Sequence, residues 1–343
     1  MSEQGKVPPA LLLRQLAFVM RASRALYAGA QLGVADILAA GPMTSGEIAA
    51  KAGTVTPTMR RLLRALVAHG VFEEEAPDRF RLNPAAELLR KDVPASQRAG
   101  VLFTAGDLRW RLWSDFLESI RSGQAVAERA FGKSIFERHA DNPEESALFN
   151  QAMTSYSAAL SAPVIAAYDF SSFGRIADIG GGNGRFLSDI LVANPVVQGI
   201  LFDLPNVVAD AAPLLTAAGV AGRCEVVGGD FLGNVPAGAD AYLLKQVIHD
   251  WDDARAIAIL GNCRKAMTPA AKLLIVERVM PERAQQGQAA EAYLLDLEML
   301  VNTPGGCERT EGEFKSILAA TRFGVTRIVP TTTPVCLIEA RPL

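Results

Sequence analysis

The chain has 343 residues, a formal net charge of -3 and a pI near 5.8, with 50% hydrophobic and 21% charged residues. That length suits two domains, and the composition excludes a disordered chain. The weak charge gives no global pull toward nucleic acid or anionic lipid, and no apolar run reaches the ~18 residues of a membrane span.

The N-terminus carries no signal-peptide pattern. Cys224, Cys263, Cys307 and Cys336 are scattered, without paired metal-ligand spacing. Buried thiols in a reducing cytoplasm are the expectation, with no metal and no membrane association. "LLLRQLAFVMRASRALYAGAQLGVADILAAG" has apolar residues at helical spacing before Gly41-Pro42 stops it. A short helix, a turn near Gly53, a second helix from about Pro57 to His69 and two strands around Pro77-Asp78 follow. This is a winged helix-turn-helix pattern over residues 1–100. Arg60, Arg61 and Arg64 on the second helix raise a ligand-responsive DNA-binding regulator as an alternative. Glu73, Glu74 and Glu75 oppose it, since a reader helix sits in a broadly basic surface. The apolar opening helices instead predict a dimer-forming role, because one small domain cannot bury them.

Residues 101–170 read as a helical linker, including "DLRWRLWSDFLESIRSG". From Ser171 the rhythm changes to alternating strands and helices: "RIADIG", "VQGILFD", "RCEVVGGD", "DAYLLKQ" and "AKLLIVERV" predict a mostly parallel sheet. "VTRIVPT" and "PVCLIEARP" are separated by too few residues for a crossover, so they pair antiparallel. The expectation is a seven-stranded α/β sheet over residues 171–343, ending in a hairpin.

"DIGGGNGRF" follows the first strand and opens a helix, with Asp178 ahead of Gly180, Gly182 and Gly184. Glycines there permit a sharp turn and close ligand approach. Arg185 occupies the last position of a would-be G-x-G-x-x-G, which tilts the reading from nicotinamide cofactors toward a nucleoside without a pyrophosphate. Asp203 and Asp230 end the next two strands, placed for a ribose and for an adenine amine, with Phe231 to pack on the ring. The fourth strand delivers Lys245 and then His249, and Asp252 or Asp253 is expected to cap the following helix. His69, at a helix end, and His139, in a charged loop, read as surface or capping residues.

"DIGGGNGRF", "FDLP", "VGGDF", "KQVIHDWDD", "LLIVERVMP" and "GGCERTEGEF" stand in one order, and together they resemble the plant-type (family 2) S-adenosylmethionine-dependent O-methyltransferases. The resemblance covers almost the whole chain. It implies a class I methyltransferase Rossmann-like domain behind a winged-helix dimerisation domain, hence a homodimer. It also implies S-adenosylmethionine as cofactor, S-adenosylhomocysteine as product and an aromatic small-molecule acceptor. Residue by residue, Gly180, Gly182 and Gly184 would cradle the methionine portion, Asp203 the ribose, Asp230 and Phe231 the adenine, and Lys245 another part of the cofactor. His249 would be the general base, flanked by Glu277 and Glu308. Trp251, Met299, Thr303, Phe149 and Met153 fall where the family lines its pocket.

The chemistry agrees with the implied roles. A phenol has a pKa of ~10 and an imidazolium ~6.5, so full deprotonation before attack is uphill by roughly 5 kcal/mol. A carboxylate beside the ring reduces this. Thr303 stands where plant enzymes place asparagine, and "FNQAMTSYSAA" lacks their histidines. The expected acceptor is therefore a bulkier, more apolar aromatic, of polyketide, quinone or phenazine type. N-methylation, or a non-methylating hydroxylase or decarboxylase, is the rival within the family.

Overall fold

A computed structural model describes residues 7–93, 96–287 and 289–343. The chain divides into two compact units, Met1–Arg111 with Gln151–Ser155, and Leu112–Asn150 with Tyr156–Leu343. The linker expected over 101–170 is thus shared between them.

The first unit opens with the helix Pro9–Gln31, begun by proline where its missing N–H costs nothing. Its apolar side stays open: Leu13, Leu16 and Val19 are 70%, 64% and 60% exposed. A capping box between Thr44 and Glu47 starts the helix Ser45–Ala52, and Gly53, at φ 64°, ends it. The helix Thr56–Ala68 buries Met59, Leu63 and Leu66, one face at helical spacing, against Ile48, Phe72 and Phe80. The wing is the antiparallel pair Phe72–Ala76 and Arg79–Leu82. Met43–Thr44 adds a third strand too short to show in the sequence. Asp78 of the wing pairs with Arg60 at 3.3 Å, which offsets part of the helix's basic face.

In the second unit we number the sheet strands β1 Arg175–Ile179, β2 Gln198–Asp203, β3 Cys224–Gly228, β4 Ala241–Lys245, β5 Lys272–Met280, β6 Phe323–Pro330 and β7 Val335–Pro342. Their order is β6-β7-β5-β4-β1-β2-β3, with β1 to β5 parallel and β7 antiparallel to both neighbours. The seven expected strands are all present, as is the final hairpin. One further strand, Arg309–Thr310, runs parallel to the end of β5. Both sheet faces are apolar and covered by helices: Tyr242, Leu244 and Ile275 face one core, and Leu243, Leu274 and Val276 the other.

At one margin of the sheet, Glu339 of β7 accepts from Tyr168 Oη at 2.6 Å, Lys272 Nζ at 3.2 Å and Arg327 Nη2 at 3.0 Å. This network ties the hairpin to the segment leading into β1. Among the described residues no helix is long and apolar enough to cross a membrane.

Candidate active site

β4 ends at Lys245, opposite Val276, while β5 continues to Met280. Gln246 then takes φ 53°, a left-handed conformation that turns the chain across the end of its own strand. The 3-10 turn Ile248–Asp250 follows directly above Glu277. Glu277 was expected to end its strand. It lies inside β5 instead, beyond the last β4 partner, where its carboxylate meets the turn. Its Oε1 accepts the N–H groups of Val247 (3.0 Å), Ile248 (3.0 Å) and His249 (3.3 Å). Those amides have no other strand to pair with, so one buried carboxylate oxygen serves all three.

The His249 ring is buried between two acids. Its Nδ1 lies 2.9 Å from Glu308 Oε1 and 3.5 Å from Glu277 Oε2. Asp250 Oδ1 stands 3.8 Å from Nε2. Since a carboxylate only accepts, Nδ1 carries the hydrogen toward Glu308, and it is Nε2 that holds the lone pair when the ring is neutral. Burial opposes the charged imidazolium, but Glu277, Asp250 and Glu308 outweigh it and push His249 up to about 10. Burial pushes Glu277 up to about 7, against the pull of His249. Glu277 Oε2 and Glu308 Oε2 are buried with no hydrogen-bond partner. One ligand atom from each of the three residues falls within 4.8 Å of the others, a spacing that would also admit a divalent ion. The His249–Glu308 separation is that of a hydrogen bond.

The glycine turn after β1 has a cofactor's requirements. Gly180, Gly182 and Gly184 all have positive φ (71°, 62° and 83°), which other residues adopt only with strain. A Cβ on Gly180 would meet Val247 at 2.8 Å and one on Gly184 would meet Leu201 at 2.9 Å, whereas above Gly182 the space is open. Gly182 N–H donates to Asp203 Oδ2 at 2.8 Å, so the turn and the end of β2 are locked together. Burial pushes Asp203 above the usual carboxylate range, with the Gly182 and Leu204 amides pulling it back. Asp178 is buried and pushed up to about 7, chiefly by burial, and its Oδ2 has no partner. Burial also lowers Lys245, whose Nζ lies 3.5 Å from Gln246 Oε1 and 5.6 Å from the centre of the Phe186 ring. An open cradle beside an under-satisfied carboxylate fits a nucleoside-bearing cofactor with its own amine and carboxylate.

Two family models match the chain. An O-methyltransferase dimerisation domain covers residues 14–92, and an O-methyltransferase domain covers residues 113–324. The chain belongs to the O-methyltransferase family. It is 42% identical over 342 residues to a phenazine O-methyltransferase, PhzM, of Lysobacter antibioticus, spanning 99% of this chain and 98% of that one. The solved structure of LaPhzM superposes with a TM-score of 0.93 at 42% identity, covering 98% of this chain and all of the other. NcsB1, an O-methyltransferase from neocarzinostatin biosynthesis solved with S-adenosylmethionine and 2-hydroxy-5-methyl naphthoic acid, gives 0.82 at 33% identity, covering 96% and 98%.

The remaining expected residues of this O-methyltransferase fall into distinct places. Phe231 lies beside the Gly180 turn and meets Trp251 edge-on at 5.8 Å, bridging the cradle and the His249 turn. Asp230 is exposed and its Oδ1 accepts the Leu232 N–H at 2.8 Å, a turn cap. Trp251 also stacks on Phe136 at 5.5 Å, and Met299 is buried on the helix Ala290–Asn302. Thr303 is buried, its hydroxyl donating to Met299 O at 2.8 Å and accepting from Gly306 N at 3.1 Å. Phe149 stacks on His139 at 4.9 Å. His139 is buried on the helix Ile135–Asp141, which corrects the expectation of a surface residue in a loop. Met153 belongs to the first unit, not to the one holding His249. Asp252 caps the helix Asp253–Ala266 as expected, accepting from Arg255 N at 2.8 Å.

Sequence reasoning missed three contributors. Phe136 carries no signal in its surroundings. Gly306 is tight against the turn, where a Cβ would clash with His249 O and Thr303 Oγ1. Arg309, directly after Glu308, reaches the backbone around His249.

Proposed function

We propose that this O-methyltransferase transfers a methyl group from S-adenosylmethionine to a phenolic hydroxyl of a fused-ring aromatic small molecule in secondary metabolism, such as antibiotic biosynthesis. His249 is the general base. The observation that carries the reading is the imidazole held between Glu277 and Glu308, with Nδ1 committed to Glu308 and Nε2 on the other side of the ring.

When bound, the cofactor supplies an electrophilic methyl on a sulfonium. The chain's task is to align the acceptor oxygen and take its proton. His249 Nε2 accepts that proton, and Glu308 holds the Nδ1–H while stabilising the imidazolium that forms. Glu277 fixes the turn and adds its charge at 3.5 Å. Asp203 receives the ribose hydroxyls, Asp230 and Phe231 the adenine, and the open face above Gly182 the methionine portion. Asp178, buried with its Oδ2 unpartnered, and Lys245 complete the polar end of that site. Trp251, Phe136 and Met299 supply apolar and aromatic surface for a flat acceptor. Phe149 and Thr303 belong to the same acceptor side, Thr303 by shaping the turn rather than by touching the ligand. Resemblance to a phenazine O-methyltransferase and to a naphthoate-binding relative supports the fused-ring choice.

A homodimer accounts for the exposed apolar side of the helix Pro9–Gln31, in a segment matching a dimerisation domain. A reducing, cytoplasmic setting suits four cysteines that are all free thiols. The test is incubation with methyl-labelled S-adenosylmethionine and a panel of phenolic phenazines, naphthoates and quinols. Label should appear on fused-ring phenols with the wild type and be lost with His249→Ala. Equal transfer by both proteins contradicts the base assignment.

A further inference from the structure

The His249 turn is held from two sides, and only one of them belongs to the acids already described. Glu277 takes the N–H groups of residues 247 to 249. Arg309, 1% exposed, takes the carbonyls. Its Nη1 donates to Ile248 O at 3.0 Å and its Nη2 to Trp251 O at 2.8 Å, flanking His249 on both sides in the chain. Nη2 and Nε also reach Asp253 Oδ1, at 2.8 and 3.1 Å, at the start of the next helix. Four N–H groups of one planar guanidinium are therefore spent on residues 248 to 253.

Strand pairing explains why this residue can do so. Arg309 pairs with Val279 on β5, two residues past Glu277. Successive side chains of an extended segment point to opposite faces. Glu308 turns to the His249 ring and Arg309 to the backbone behind it. β5 and the segment paired to it thus hold the turn's amides, its carbonyls and the ring nitrogen.

We propose that Arg309 is a positioning residue for His249, setting the distance from Nδ1 to Glu308 and the aim of Nε2 through the backbone rather than by touching the acceptor. The inference rests on His249 being the base. Lysine is a point donor without the fork, so it replaces part of this set and glutamine replaces less. The charged groups facing the ring are Glu277 from β5, Glu308 from the adjoining segment and Asp250 from the turn itself. A loosened turn moves the ring away from the first two, so the imidazolium becomes less favoured.

The test compares wild type with Arg309→Gln, Arg309→Lys and Asp253→Asn. It reads kcat, the cofactor dissociation constant, thermal melting, and NMR titration of the His249 ring in the presence of S-adenosylhomocysteine. Arg309→Gln should lower kcat about 10- to 100-fold, as displacements on the scale of 1 Å do, with cofactor affinity within about 3-fold. The His249 titration should move to lower pH. Arg309→Lys should recover part of both, and Asp253→Asn, whose carboxylate is largely exposed, should change kcat less than about 3-fold. A folded Arg309→Gln with unchanged kcat and unchanged titration overturns the proposal, as does parallel loss of cofactor binding. If Arg309→Gln does not fold, Arg309→Lys decides: a shifted titration supports it, and a lower melting temperature with wild-type titration refutes it. The NMR arm needs no turnover, so a failure of the methyl-transfer assignment is seen separately in the wild type.

Discussion

Glu308→Gln isolates the electrostatic half of the catalytic arrangement. Glutamine can still accept from Nδ1, so the 2.9 Å hydrogen bond survives while the charge goes. Two unit charges 4 Å apart interact by about 4 kcal/mol at an effective dielectric constant of 20, which sets the scale of what the substitution removes. Opposite charges at such range shift a pKa by about 1–3 units. The sign follows from the direction: the acids raise His249 above its ordinary value, to about 10. Below that pH the base is protonated, so kcat/KM of the wild type should climb with pH well above ~6.5. Glu308→Gln should slide that limb to lower pH by about 1–3 units. It should also depress the plateau by about 10- to 100-fold, because the imidazolium formed in transfer loses its partner. The assay is initial-rate methyl transfer from labelled cofactor between about pH 6 and about pH 10, with a phenol that does not itself titrate there. A limb that stays put, or moves up, refutes the view that Glu308 acts through its charge on His249.

Gly306→Ala places a methyl group against His249 O and Thr303 Oγ1, and overpacking of about 1–3 kcal/mol should appear as a lowered melting temperature together with lost turnover. Asp203→Asn removes the charge that holds the Gly182 amide and, in the proposed role, the ribose; calorimetry should show cofactor affinity reduced about 10- to 100-fold. Asp178, pushed up to about 7, binds its proton more tightly folded than unfolded. Its contribution is therefore present below pH ~4 and lost as pH rises through ~7, up to about 4 kcal/mol, and thermal melts of unliganded Asp178→Asn should be flatter over that window.

The strand-helix alternation, the glycine turn and the acids at consecutive strand ends were legible because each is local. Periodicity reports burial, and a glycine with positive φ or a carboxylate after a strand announces itself in a few letters. His249 stood out through its scarcity, but its partners lie 28 and 59 residues away in the chain, and only the family resemblance joined them. Glu277 looked like the end of a strand because apolar residues stop there. The structure carries β5 three residues further, which is what puts its carboxylate under the turn. Arg309 was hidden for the opposite reason. In the sequence it is one charge among "ERTEGEF", which reads as a solvated helix start, and its burial depends on a two-residue strand no pattern reveals. His139 was misplaced because the polar residues around it suggested a loop, whereas its ring packs on Phe149.

The central claim is methyl transfer to oxygen with His249 as base. It is tested most directly by supplying carbon-13-methyl S-adenosylmethionine with a fused-ring acceptor carrying both a phenol and an aromatic amine, and reading the product by NMR. The wild type should give a labelled methyl ether, and His249→Ala should retain cofactor binding with transfer reduced by at least about 100-fold. Label on nitrogen, or an undiminished ether yield from His249→Ala, would contradict it.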